Sequence, residues 1–280
     1  MWLFFTFLTV LLWGVGQVFV KKGFSETTPL FNNLLSAAVT LLITIPFALL
    51  NGANINDVFS LLPLTIFIAL LLLCYYYIIG IGQLSLTGTI LAAYPLITVI
   101  LSLLFLHEHP TMIQNFAIVL ILFGTVVISV GEDIRKFTKL KIGNWFWWAI
   151  FGAFSIGISD FLAKIALNRS NTYTYLLAYS VSFIAVILVS FIVDKNGRKY
   201  LKGVDRKFIP TIVGVIMVES GVVSYYLAIS QGLLSLVTPL SSIYATVTVI
   251  LAWFILHERI NKIQILGIIC SVIGIVLIGS

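Results

Sequence analysis

Four charged residues lie in or at the edge of long apolar runs: Lys21, Asp160, Lys164 and Glu219. At the centre of a bilayer an ionised side chain costs about 2.5 kcal/mol or more, so such groups face the protein interior or water. Glu219 is the deepest, in the middle of the run 208–230. It reads as a proton-coupling carboxylate or as the counter-ion of a substrate amine. The plainer alternative is a protonated carboxyl that locks two helices together. Asp160 and Lys164 are four apart, hence on one helical face, placed to pair or to contact a substrate. Lys21 and Lys164 sit near run ends, where they snorkel to headgroups or anchor a carboxylate or phosphate at a cavity mouth.

Aromatic residues supply a second constellation. Tyr94 and Thr98 share one helical face, as do Tyr244 and Thr248, and Tyr76 and Tyr226 occupy matching places in two other runs. Both Tyr94 and Tyr244 are near mid-run, away from the interfacial belts where tyrosine concentrates. Trp13, Gln17, Ser241 and Ser242 add walls and hydrogen-bonding groups. The set describes an aromatic cavity for a small amphipathic solute. Its alternative is tyrosines that pack helices and satisfy their hydroxyls locally. His107-Glu108 and His257-Glu258 stand at turns, where a carboxylate near a helix N-terminus is favoured by the macrodipole. His107-Glu108-His109 lacks the HExxH spacing of a metal site. There is no Walker A motif, no GxSxG and no metal-ligand set, so neither an enzyme nor a cofactor is expected.

The elements that carry these residues are membrane spans. Of 280 residues, 60% are hydrophobic and 9% charged, against about a quarter charged in soluble domains. Ten apolar runs stand out: 2–20, 30–50, 60–80, 85–106, 112–130, 144–167, 173–193, 208–230, 233–256 and 260–279. Each approaches the ~20 residues that cross the hydrocarbon as a helix. Barrel strands would be about half as long and would alternate. The fold class is therefore an all-α membrane protein. The first run has no basic leader or cleavage site and reads as a retained helix. Cys74 and Cys270 lie inside runs, which excludes a disulfide framework.

The chain repeats itself. Residues 75–130 align with 225–280 at an offset of 150, with 21 of 56 positions identical. At an offset of 143, Gly14, Val15 and Lys21 match Gly157, Ile158 and Lys164, and Gln17 matches Asp160. The reading is two five-helix repeats, 1–137 and 138–280. Five is odd, so the second repeat enters the membrane inverted, with one site where the halves meet. The counterpart of Glu219 is Ala69, so the symmetry does not require that carboxylate. Ala117, Gly124 and Gly131 recur every seven residues, as do Gly267 and Gly274. Such small-residue faces serve helix packing within the chain or contact in a homodimer, leaving monomer or homodimer open.

At these residues the chain resembles the ten-span, EamA-type members of the drug/metabolite transporter superfamily. The stretch Tyr225–Gly232 through Leu256-His257-Glu258-Arg259, its counterpart Tyr75–Glu108, and Trp13-Gly14 with Lys21 carry the resemblance. It implies a multi-pass carrier of small metabolites in the inner or plasma membrane. It also implies that spans 1, 3, 4, 6, 8 and 9 enclose the cavity, and it favours export. Where the family has glycine before the glutamate that ends spans 4 and 9, this chain has His107 and His257. The expected function is secondary transport of an amino acid or amine by alternating access, with protons as coupling ion. An uptake carrier or exchanger for an anionic metabolite or sugar, and a non-transporting scaffold, are the alternatives.

Fourteen of the sixteen Lys and Arg residues follow odd-numbered spans; Lys164 and Arg169 do not. Basic loops stay cytoplasmic, so both termini are expected outside. The cluster 195–207 suits anionic headgroups of the bilayer rather than nucleic acid. In a chain freed of Cys74 and Cys270, Lys199→Cys and Ser280→Cys are expected to react with an impermeant maleimide from opposite sides, Lys199→Cys from the cytoplasm; labelling from one side contradicts the ten-span count.

Overall fold

The computed structural model describes residues 1–23, 28–81, 90–131, 144–195, 208–256 and 260–278. In chain order the helices are α1 (Trp2–Gly23), α2a (Pro29–Val39), α2b (Ile45–Leu50), α3 (Ile55–Ile81), α4 (Tyr94–Phe105) and α5 (Met112–Gly131). The second half gives α6 (Asn144–Arg169), α7 (Thr172–Val193), α8 (Ile209–Gln231), α9a (Leu234–Ser242), α9b (Tyr244–Leu256) and α10 (Lys262–Ile278). Among the described residues, eight spans are long and apolar enough to cross a membrane, and α4 and α10 are shorter apolar helices, an order consistent with ten spans. Lipid offers the backbone no hydrogen bonds, so each crossing segment satisfies its own as a helix. The boundary expected at 137/138 lies outside the described residues.

The surface confirms the solvent. Phe116, Val119 and Phe123 on α5, and Leu266, Ile269 and Val276 on α10, are exposed, while Thr98, Ser102, Asn32, Ser36 and Thr238 are fully buried. Apolar outside with polar inside is the pattern of a bundle dissolved in hydrocarbon.

The two halves are inverted. Trp2, at the start of α1, packs on Gly232, and Lys164, near the end of α6, donates to the Gly232 carbonyl at 2.9 Å. Repeat partners α1 and α6 therefore run in opposite directions. The loop after α2b and the start of α7 share that end, since Asn54 N donates to Thr174 Oγ1 at 2.9 Å. At the other end the start of α2a meets the start of α8 through Phe31 and Phe208, ring centroids 5.2 Å apart.

The same contacts recur with the halves exchanged. Thr248 Oγ1 donates to Gly14 O at 3.1 Å, and Thr98 Oγ1 donates to Gly157 O at 3.4 Å. A Cβ on Gly14 would lie 2.6 Å from Val247; one on Gly157 would lie 2.8 Å from Ile97. Both alignment offsets, 143 for the glycines and 150 for their partners, are thus spatially realised. The caps repeat too: Gln114 Oε1 accepts from Thr111 N at 2.9 Å and Gln264 Oε1 from Asn261 N at 3.0 Å.

Three spans expected to be continuous are not. Span 4 turns at residues 92–93 and span 9 at Ile243, one repeat apart. Pro95 opens α4 and Pro239 lies inside α9a; proline removes a donor and crowds the preceding turn. Span 2 widens into a π-turn at Thr40–Thr44, with Ile45 N bonding Thr40 O, just ahead of Pro46.

The small-residue faces meet each other. A Cβ on Gly124 would fall 2.6 Å from Gly267 O, and one on Gly267 would fall 2.7 Å from Gly124 O. These faces of α5 and α10 therefore pack within the chain. Gly124→Val is expected to lower the unfolding midpoint, by overpacking worth about 1–3 kcal/mol. Exposed Phe123→Val is expected to stay within about 0.5 kcal/mol; thermal unfolding in detergent measures both, and equal midpoints contradict the close crossing.

Candidate functional site

The glycine–threonine crossings bring one helical turn of α6 and of α1 to the junction of the halves. Three residues beyond Gly157 stands Asp160, and three beyond Gly14 stands Gln17. Asp160 Oδ2 accepts from the Tyr225 hydroxyl at 2.9 Å. That hydroxyl also lies 2.8 Å from Thr238 Oγ1. With the Tyr225 hydroxyl donating to Asp160, its oxygen accepts from Thr238. The arrangement has a neutral copy in the first repeat, where Gln17 lies beside the Tyr75 hydroxyl.

Trp13 closes one wall. Its ring lies 5.3 Å from Tyr225 and 5.6 Å from Tyr244, and its Nε1 donates to Val218 O at 3.1 Å. Tyr94 and Tyr244 each begin the second segment of a broken span. Both lie near Tyr75, and Tyr94 lies near Asp160. Trp13, Gln17, Tyr75 and Tyr244 stay partly uncovered although they occupy the junction.

A second carboxylate lies nearby. Glu219 is buried on α8, and Thr40 at the π-turn donates to its Oε2 at 3.4 Å. Ser36, one turn earlier, adjoins the same carboxylate at longer range, its hydroxyl meeting no bonding geometry. Aromatic rings connect the two acids. Tyr225 and Tyr226 are 5.9 Å apart, Tyr226 and Tyr179 5.3 Å, Tyr226 and Tyr175 5.0 Å, and Tyr179 lies near Glu219.

Lys164 is placed elsewhere. The Asp160–Lys164 pair that the spacing allows does not form: Lys164 Nζ donates to Ile229 O at 2.6 Å and Gly232 O at 2.9 Å. Beside it, both Glu108 oxygens accept backbone N–H groups at 2.8 Å, Oε1 from Leu234 and Oε2 from Ser235. The α8–α9a turn is thus held from both halves, at the C-terminus of one helix and the N-terminus of the next. The capping reading of Glu108 holds, and its target is the other repeat. His107 has φ 50°, the left-handed region, which turns Glu108 toward α9a. The remaining candidates separate. Ser241 is fully buried with an unpartnered hydroxyl; Ser242 pairs with Thr125 at 3.1 Å. The side chains of Lys21 and Tyr76, and residues 257–259, lie outside the described residues.

Sequence reasoning missed Tyr225, Tyr75, Thr238, Tyr179, Ser36 and Thr40 as site residues. The duplicated Tyr-Tyr pair was the available signal for the first two. For the last two it was the four-residue spacing of Asn32, Ser36 and Thr40 along an apolar span.

Comparison with known proteins bears on the family and the fold. The model of the EamA-like transporter family matches residues 1–130 and 143–280. An uncharacterized protein of Methanocaldococcus jannaschii is 31% identical over 124 residues, which cover 44% of this chain and 87% of that protein. That relative is thus about as long as one repeat. A solved crystal structure superposes with a TM-score of 0.80 at 14% identity, covering 98% of this chain and 94% of that one, a likeness of fold.

His107 bears the cost of a left-handed residue with a Cβ, about 1 kcal/mol. His107→Gly is expected to raise the unfolding midpoint and Glu108→Ala to lower it, through loss of a cap worth about 0.5–2 kcal/mol; thermal unfolding of the purified chain decides, and a destabilising His107→Gly contradicts the turn.

Proposed function

Because the chain belongs to the EamA-like transporter family, we propose that it carries a small zwitterionic or amine solute, an amino acid foremost, across the cell membrane by alternating access. The family consists of membrane transporters, not enzymes. The observation that carries the substrate class is Asp160 in its ring of Tyr225, Trp13, Tyr94 and Tyr244. A buried carboxylate attracts an ammonium group, and aromatic faces add cation–π attraction. The broken spans begin a helix at Tyr94 and another at Tyr244, and these two residues lie near each other. The partial positive charge of such helix N-termini suits a carboxylate. One solute with both groups satisfies both.

Inverted repeats with exchanged contacts provide two near-equivalent arrangements, one open to each side. The described arrangement is held at the α8–α9a turn by Glu108 and Lys164, which must let go for that end to open. Lys164 is engaged by two carbonyls with Glu108 beside it, which weighs against its use as an anion anchor. Glu219 serves as the proton-coupling carboxylate. Export, with both termini outside, follows the family resemblance and the basic loops.

A thermal-shift screen of amino acids, amines, sugars and nucleotides, followed by counterflow in proteoliposomes, tests this reading. Neutral amino acids or amines are expected to stabilise the chain and to exchange. Asp160→Asn is expected to reduce exchange at least tenfold, the loss of a charged hydrogen bond worth about 1.5–3 kcal/mol. Exchange of an anion unaffected by Asp160→Asn contradicts the assignment.

A further inference from the structure

Helix α2a carries a polar face that the aromatic cavity does not use. Asn32, Ser36 and Thr40 are spaced four apart and are at most 1% exposed. Both side-chain polar atoms of Asn32 and the hydroxyl of Ser36 are buried without a partner. Along α8, Thr211 and Glu219 stand eight apart, with Val215 between them buried in an apolar cluster with Val39 of α2a; Thr211 Oγ1 is also buried and unpartnered. The two helices run side by side in the same direction, because Phe31 meets Phe208 at their starts and Thr40 meets Glu219 farther along both. Asn32 and Thr211 therefore stand near the entrance of one seam, Ser36 within it and Glu219 at its inner end.

Buried polar atoms are almost always satisfied, by protein or by internal water making two to four bonds. This seam offers several unsatisfied groups in a row, ending on a carboxylate. The π-turn at Thr40–Thr44 widens α2 at that inner end, a feature that recurs at functional sites. On another side, Tyr179 of α7 lies near Glu219.

We propose that Glu219 has its own hydrated track, running between α2a and α8 to the end of the molecule where those helices begin, and that protons use it without crossing the aromatic cavity. This rests on the reading of Glu219 as the coupling carboxylate. It gives proton and solute separate routes to a shared centre, with the tyrosines between Glu219 and Asp160 as the link. By the distribution of basic loops, the track opens on the cytoplasmic side.

Silver ions, which pass where water passes and bind thiols, test the track without a known solute. In a chain carrying Cys74→Ala and Cys270→Ala, single cysteines replace Asn32, Ser36 and, as a dry control buried in α3, Ala69. Silver adducts are followed by intact mass in chloride-free buffer. Labelling of Asn32→Cys and Ser36→Cys is expected at least tenfold faster than of Ala69→Cys; equal rates overturn the track. Adding Asn32→Leu to Ser36→Cys, or Thr211→Val where Asn32→Leu fails to fold, is expected to slow labelling at least tenfold. An unchanged rate means that water reaches Glu219 through the aromatic cavity, and overturns the separate route. Fast labelling in a chain that exchanges no solute in proteoliposomes keeps the track and removes the transport reading instead.

Discussion

Two weak hydrogen bonds, from a threonine hydroxyl to a glycine carbonyl, set the architecture. Thr248 reaches Gly14 and Thr98 reaches Gly157, each joining the first helix of one repeat to the fourth span of the other. The contact needs backbone close to backbone, and only glycine leaves room. In lipid no hydrophobic force drives helices together, so such close crossings and shared polar groups hold the bundle. Once the crossings exist, Gln17 and Asp160 one turn farther on must face the junction, and the broken spans must begin their second segments beside them.

The frame is symmetric and the chemistry is not. Gln17 and Asp160 hold equivalent places, each with a tyrosine from the third helix of its repeat, but only one is an acid. Ala69 and Glu219 are likewise equivalent, and only one titrates. In the proposed reading, symmetry gives the molecule two similar ways to pack, and the substitutions that break it localise recognition and coupling. The turn between α8 and α9a is bonded from both halves. Glu108 from the first repeat and Lys164 from the second hold one turn, so its release is a property of the whole chain.

Much of this was legible in the sequence. The offsets of 150 and 143 named the pairs Gly14/Gly157, Tyr94/Tyr244 and Thr98/Thr248, and these are the residues that meet. The class of fold followed from run length and charge alone. The breaks at residues 92–93 and Ile243 were not read, because apolar periodicity continues through a turn that leaves hydropathy unchanged. Glu108 was legible as a cap but not its target, since a cap across repeats depends on the inversion in three dimensions. Asp160 and Lys164 share a face, yet a nearby phenol and two helix-end carbonyls took their bonds. Spacing shows what two residues can do, and the neighbours decide what they do. His107 stands where the family has glycine, and its left-handed φ gives the reason for the family's preference.

The central claim is that one pocket, at the crossing of inverted halves, is reached alternately from both faces of the membrane. Tyr244→Cys, in a chain freed of Cys74 and Cys270, measures this most directly with an impermeant thiol reagent applied to right-side-out and to inside-out vesicles. The account predicts labelling from both faces, with a bound solute shifting the ratio. Labelling from one face only under every condition, or from neither, contradicts it.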